Sequence, residues 1–364
     1  MIYWFSAEKY VDPKIYGVSW DGSSSPIWTR TDDAVGFSDP SPALGTGTGS
    51  SPFDGIMPWA GMVKVNDPDA GMLVAIPKYY FKLDKSGSTM SLKISSAPFT
   101  GSQVSPAHMD RGDGVGEREY VYVGRYHCAS DFTSTTGVAP KVSTSRANFR
   151  TGIHNLGTNI WQWDYATLLT VQMLYLVEFA NFNSQAKIGY GCSDSGTKQN
   201  TGFTDTMTYH TGTNKSSRTT YGHVQYRNIE DLWANVGTHC DGIRFNGSSI
   251  YAIKNPSSFS DTSGGTSVGT KVASPQFGGV ISSYAISSAS GFTWFMFPSG
   301  YTDIENTSQY SCDAGSFHTD SGYYQCLEVG GMPYQDLDSG LFSLWDGSTG
   351  ATASDIGSRI MKLP

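Results

Sequence analysis

The residues best suited to chemistry lie near the end of the chain, in Leu327 to Arg359, LEVGGMPYQDLDSGLFSLWDGSTGATASDIGSR. Two tracts there, Met332 to Ser339 and Ser343 to Ser354, are dense in aromatic and short polar side chains. The candidate ligand-binding residues are Met332, Tyr334, Gln335, Asp336, Asp338, Ser343, Trp345, Asp346, Ser348 and Thr349. The chemistry they suit is non-covalent recognition. Tyr and Trp supply contact area with few rotatable bonds, and acids, amides and hydroxyls supply directional hydrogen bonds. The bland alternative is a pair of ordinary polar turns.

Covalent and metal chemistry have little support in the spacing. The five cysteines, Cys128, Cys192, Cys240, Cys312 and Cys326, are odd in number and contain no CxxC, so reduced thiols are expected rather than a disulfide framework. The histidines (His108, His127, His154, His210, His223, His239 and His318) are scattered and form no HxH or HExxH, so no metal site is expected. No GxSxG, P-loop or dinucleotide fingerprint is present. Asp313, Asp320, Asp336, Asp338, Asp346 and Asp355 could offer oxygens to Ca²⁺. They lack an EF-hand loop or a lectin calcium tripeptide and read as solvated turn aspartates, so no cofactor is expected.

Framework runs must position the two tracts. Leu327 and Val329 alternate as in a strand, and Gly340-Leu341-Phe342 is a short apolar run that reads as another. The framework residues are Gly330, Gly331, Gly340, Phe342 and Arg359. If Gly340 to Phe342 is an inward-anchored strand, the tracts on either side emerge next to each other on one exposed face. Arg359 is then a buried anchor for a carboxylate or for backbone carbonyls.

Upstream, the pattern is α+β with many short strands, two main helices and long loops. Strands are expected at Ile2 to Phe5, Tyr16 to Trp20, Met72 to Ile76, Lys78 to Leu83, Met90 to Ile94, Glu119 to Val123, Asp241 to Phe245 and Gly291 to Phe297. Asp164 to Asn181 is apolar almost all round and reads as a buried helix capped by Asp164, preceded by the core residues Trp161 and Trp163. A shorter helix is expected over Asn228 to Val236. The Pro, Gly, Ser and Thr of residues 35–55 suggest a boundary, making 1–55 a β/linker arm for assembly contacts and 56–364 the main domain. Arg111-Gly112-Asp113 spells an adhesion tripeptide but reads as a Gly-rich turn.

Composition narrows the function classes. Charged residues are 15% and the net charge is −8 with no basic patch, which argues against nucleic acid, since phosphate binding needs clustered Lys and Arg. No apolar stretch reaches the roughly 18 residues of a membrane span. The N-terminal MIYWFSAEKY does not read as a signal peptide, so synthesis in the cytoplasm is expected.

The order VGG, tract, GLF, tract, IGSR resembles the C-terminal end of the variable proteins diversified by retroelements, a family that includes the phage major tropism determinant. YGVSWDGSSSPIWTRTDDAVGF, SPFDGIMPWAGM, AIPKYYFK, YVGRYHCAS, QMLYLVEFANFNSQ and YRNIEDLWANVGTHCDGIRF are similar to tail proteins of phages and prophages of gut bacteria. The resemblance covers nearly the whole chain. It implies a C-type-lectin-like fold and a non-catalytic tail or fibre protein that recognises a host cell-surface protein or glycan through residues 327–359. It also implies a virion location, other virion proteins as partners through the N-terminal arm, and a homo-oligomer, with a trimer favoured. A structural virion protein of the same fold is the alternative. Formylglycine-generating oxidases share the fold and resemble the region around Asn235 and Val236. They need a close pair of reactive cysteines, whereas Cys312 and Cys326 stand fourteen positions apart.

Overall fold

The computed structural model describes residues 12–216, 222–275, 278–302, 309–319, 324–350 and 352–364. The strand expected at Ile2 to Phe5 and Asp320 lie outside them. The protein is α+β, with short helices set among several sheets.

The α-helices among the described residues are α1 (Arg146–His154), α2 (Tyr165–Phe179) and α3 (Ser184–Lys187). Packing centres on α2. Asp164 precedes it in extended backbone and accepts from Thr167 N at 2.9 Å and Thr167 Oγ1 at 2.7 Å, satisfying a free donor of the first turn. Ala180 ends the helix in the left-handed region, φ 48°. Every residue between is buried, the outcome expected for a helix with no polar face. Leu169, Leu174, Val177, Trp233 and Trp294 share one core cluster. Leu174→Ala is expected to lower unfolding free energy by about 2–5 kcal/mol in denaturant melts, since Leu174 is fully buried and its loss leaves a cavity.

Asp164 also receives the guanidinium of Arg111, and both side chains are about 1% exposed. The arginine of the Arg-Gly-Asp tripeptide is therefore locked under the helix start, and Asp113 is paired with Arg118.

Strand alternation accounts for the first sheet, ordered Thr29–Asp32, Tyr16–Trp20, Thr89–Ser95, Tyr80–Ser86 and Gln103–Val104. Met90, Leu92 and Ile94 bury one face of their strand. The hairpin closes between Ser86 and Thr89 with Gly87 at φ 61°, a value that suits glycine in a two-residue turn. A second sheet draws the end of the chain inward: Ile360–Lys362 lies between Ile160–Gln162 and Tyr120–Gly124. The largest sheet has seven strands among the described residues, in the order Met296–Thr302, Gly279–Ile286, Ala314–Ser316, Leu344–Ser348, Tyr324–Val329, Gly237–Cys240 and Ile356–Gly357.

Several expectations need correction. The boundary near residue 55 is not a break in packing. Tyr16–Trp20 pairs with Thr89–Ser95, and Ala43–Leu44 pairs with Gly212–Thr213. Trp20, Trp28 and Phe53 belong to the main core, so residues 12–55 are woven into the body rather than forming an arm. Asn228 to Val236 is not a helix. Arg227, Asn228, Asp231, Ala234 and Asn235 all have positive φ, between 44° and 71°. Their polar neighbours are claimed by distant partners: Asp231 by His223, Glu230 by Gly202 and Thr204, and Asn235 by Gln199. These tertiary bonds outweigh the helical pattern, which is a weak prior. The strand expected over Gly291 to Phe297 begins only at Met296. Residues before it turn so that Phe292, Trp294 and Phe295 all enter the core.

Candidate functional site

Leu327 and Val329 lie in the strand Tyr324–Val329, with Gly237–Cys240 on one side and Leu344–Ser348 on the other. Gly330 and Gly331 then reverse the chain at φ 87° and 79°. A Cβ on Gly330 would meet Leu232 O at 2.7 Å, and one on Gly331 would meet Ser339 Oγ at 2.4 Å, so both positions demand glycine by space and by dihedral.

The first tract is a surface loop braced by its own polar atoms. Met332 N donates to Gln335 Oε1 at 2.8 Å, and Asp336–Asp338 forms a single 3-10 turn. Tyr334 is 56% exposed; its hydroxyl donates to Met332 Sδ at 3.0 Å and contacts Asp355. Asp338 is exposed, and Met332, Gln335 and Asp336 are half-buried.

Gly340-Leu341-Phe342 is a tight turn, not a strand. Leu341 N donates to Ser184 Oγ at 3.0 Å, Leu341 O accepts from Gln172 at 2.8 Å, and Phe342 N donates to Asp313 at 2.7 Å. A Cβ on Gly340 would sit 2.0 Å from Asp313 Oδ1, so this glycine exists to admit a buried carboxyl. Burial pushes the Asp313 carboxyl well above the usual range, with Asp338 adding to the effect. A folded-state pKa above the unfolded value of 3.8 means that stability is greatest below that pH and falls as pH rises. Asp313→Asn is expected to flatten this decline in melts run from acid to neutral pH; an unchanged slope would contradict it.

The second tract is a real strand, Leu344–Ser348, and its alternation divides the candidates. Trp345 is half-exposed and its indole donates to Ser343 Oγ at 2.8 Å. The candidates Ser343 and Asp346 are not surface residues, and Asp346 thereby departs from the expectation that Tyr334, Gln335, Asp336, Asp338, Trp345, Asp346 and Thr349 share one exposed face. Ser343 is fully buried. Asp346 points to the opposite side from Trp345, pairing with buried Lys271 at 2.5 Å and accepting from His318 N at 2.8 Å. Consecutive strand residues cannot face the same way, which is why Trp345 and Asp346 separate. Ser348 and Thr349 are half-buried at the far end.

Neighbours of the first tract were not legible in the sequence. Ser195 N and Gly196 N both donate to Pro333 O at 2.9 Å, and Asp336 N donates to Ser193 O at 2.8 Å. Gln185 of α3 donates to Asp336 O at 2.8 Å. Lys198 Nζ reaches Ser354 O at 3.3 Å. Beside that contact is an open groove of about 430 Å³ lined by Gly137 and residues 198–203, with Phe203 exposed at its edge.

Arg359 is as buried as Phe342, 1% exposed. It donates to Gly124 O and Arg125 O at 2.7 and 2.9 Å, and to Glu230 O and Asp231 O at the same two distances. Burial, only partly offset by Asp231 nearby, lowers its pKa to about 10.

The scattered histidines also acquire neighbours. His223, Glu230 and Asp231 gather in one group, and His239, Cys326 and Glu328 in another. Burial drives His239 down to about 3, and burial followed by Asp355 and Asp346 drives Glu328 up to about 8. Burial also pushes the Cys312 and Cys326 thiols up, away from the thiolate form that a reactive pair needs. All five cysteines are free. Among the described residues no helix is long and apolar enough to cross a membrane. No protein-family model matches the chain, and no curated protein is similar to it at a meaningful level.

Proposed function

We propose that this chain is a non-catalytic receptor-binding protein of a phage tail, with a C-type-lectin-like fold, that recognises a host cell-surface protein or glycan through its C-terminal tracts. The observation that supports it is the contrast inside residues 327–359. The backbone is pinned by Arg359, Gly330, Gly331 and the Asp313–Gly340 contact, while Tyr334 stands 56% exposed and Met332, Gln335, Asp338, Trp345, Ser348 and Thr349 reach the surface to varying degrees. A rigid backbone carrying aromatic and short polar side chains can change ligand without changing fold. Ser343 and Asp346 leave the ligand set and join the framework.

Assembly into a homo-oligomer, with a trimer favoured, would present several copies of a weak site and raise avidity without new contacts. The second reading, a structural virion protein, keeps the fold and lacks the ligand. Pull-down of bacterial surface material with the intact chain and with Tyr334→Ala/Trp345→Ala separates the two. The receptor reading expects capture by the intact chain alone. Equal capture by both overturns the site, and capture by neither favours the structural reading.

A further inference from the structure

We propose that His239, Cys326 and Glu328 form a binding site for a zinc-type divalent metal ion. Strand pairing places them. Cys326 and Glu328 are two apart in Tyr324–Val329, so their side chains leave the same face, and His239 stands directly opposite Glu328 in the antiparallel neighbour. One imidazole nitrogen, one sulfur and one carboxylate oxygen all lie within 4.8 Å of one another. His239 Nδ1 and Glu328 Oε1 are 3.8 Å apart, too far for a hydrogen bond. An imidazole nitrogen and a carboxylate oxygen on one tetrahedral zinc, each at about 2.0–2.2 Å, are separated by roughly 3.3–3.6 Å, so the pair needs to close by only a few tenths of an ångström to become co-ligands.

An independent observation points the same way. His239 is 0% exposed, and neither of its ring nitrogens has a hydrogen-bond partner. A neutral imidazole carries one donor and one acceptor, and leaving both unmet in a core is unfavourable. The nearby ring of Phe149 meets the imidazole edge to face at 6.1 Å between centroids and offers no acceptor atom. Gly347, opposite Cys326, gives the carboxylate room, since a Cβ there would lie 2.1 Å from Glu328 Oε1.

Charge is also consistent. A thiolate, a carboxylate and a divalent cation sum to zero, the least costly state for a buried set. The adjacent cation, Arg146, is already matched by Asp261 at 2.8 Å. Thiolate and imidazole select zinc over magnesium or calcium, and three protein ligands leave a fourth position for water. Binding releases the thiol proton to solvent. The ion would tie Gly237–Cys240 to Tyr324–Val329 at the root of the first tract, whatever ligand the tracts take.

The test uses the untagged full-length chain, stripped with chelator, reduced and titrated with Co²⁺ alone. A thiolate-to-cobalt charge-transfer band should rise to one equivalent per chain and vanish on adding Zn²⁺. Cys326→Ser should lose the band while Cys192→Ser keeps it. Glu328→Gln, nearly isosteric and chosen in case Cys326→Ser does not fold, should keep the band and weaken zinc binding at least about tenfold. No band in the native chain, a band retained in Cys326→Ser, or unchanged affinity in Glu328→Gln overturns the proposal.

Discussion

Arg359→Met is expected to lower unfolding free energy by at least about 4 kcal/mol, the largest effect of any single substitution in the C-terminal region. The guanidinium serves four buried carbonyls in two separate segments, Gly124-Arg125 and Glu230-Asp231, and so joins the end of the chain to two distant stretches. Methionine fills much of the volume and serves none of them. Arg125 O keeps the Glu230 amide at 2.9 Å; each of the other acceptors left orphaned costs about 1–3 kcal/mol, and partial relaxation keeps the total below the sum. Arg359→Lys should recover only part of the loss, because an ammonium has three donors and no fork. Urea melts of the three proteins check this, and a loss below about 1 kcal/mol for the methionine variant would show that water replaces the guanidinium.

Glu178→Ala is expected to cost about 3–5 kcal/mol. Glu178 lies in α2 with 0% exposure and takes a two-pronged contact from Arg227, 2.7 Å to Oε2 and 2.6 Å to Oε1. Tyr226 and Ser51 complete its shell at 3.0 and 2.7 Å. Removing the carboxylate leaves the buried Arg227 charge with only its longer contact to Asp54 at 3.3 Å, which is worse than never having the pair. Glu178→Leu combined with Arg227→Met should therefore be more stable than Glu178→Ala alone. A double variant that is less stable than the single would mean that the pair contributes more than its desolvation removes.

Elements whose pattern reflects burial were legible in the sequence. The apolar run after Asp164 can only be a buried helix, and the alternation through Met90, Leu92 and Ile94 can only be a half-buried strand. The region around Asn228 was not, because its helical spacing is overruled by side chains bonding to residues far along the chain. The Gly340 turn was misread for a related reason: the apolar pair after it is held by Ser184, Gln172 and Asp313, none of which is near it in sequence. The candidate tracts were legible as a composition but not as a surface. Asp346 looks like any loop aspartate until Lys271 is seen beside it. The grouping of His239 with Cys326 and Glu328 was hidden because 87 positions separate His239 from Cys326, and only strand register brings them together.

If the tract side chains bind while the framework folds, the affinity of Tyr334→Ala for captured host surface material and its melting temperature should respond differently. Among the described residues Tyr334 makes surface hydrogen bonds to Met332 and Asp355, so its loss should leave the melting temperature within about 2 °C of the native value. As an exposed aromatic anchor it should contribute about 2 kcal/mol or more to binding, a loss of roughly thirtyfold in affinity. Unchanged affinity in a folded Tyr334→Ala protein, or affinity that falls only because the protein unfolds, would show that the tract does not bind through Tyr334.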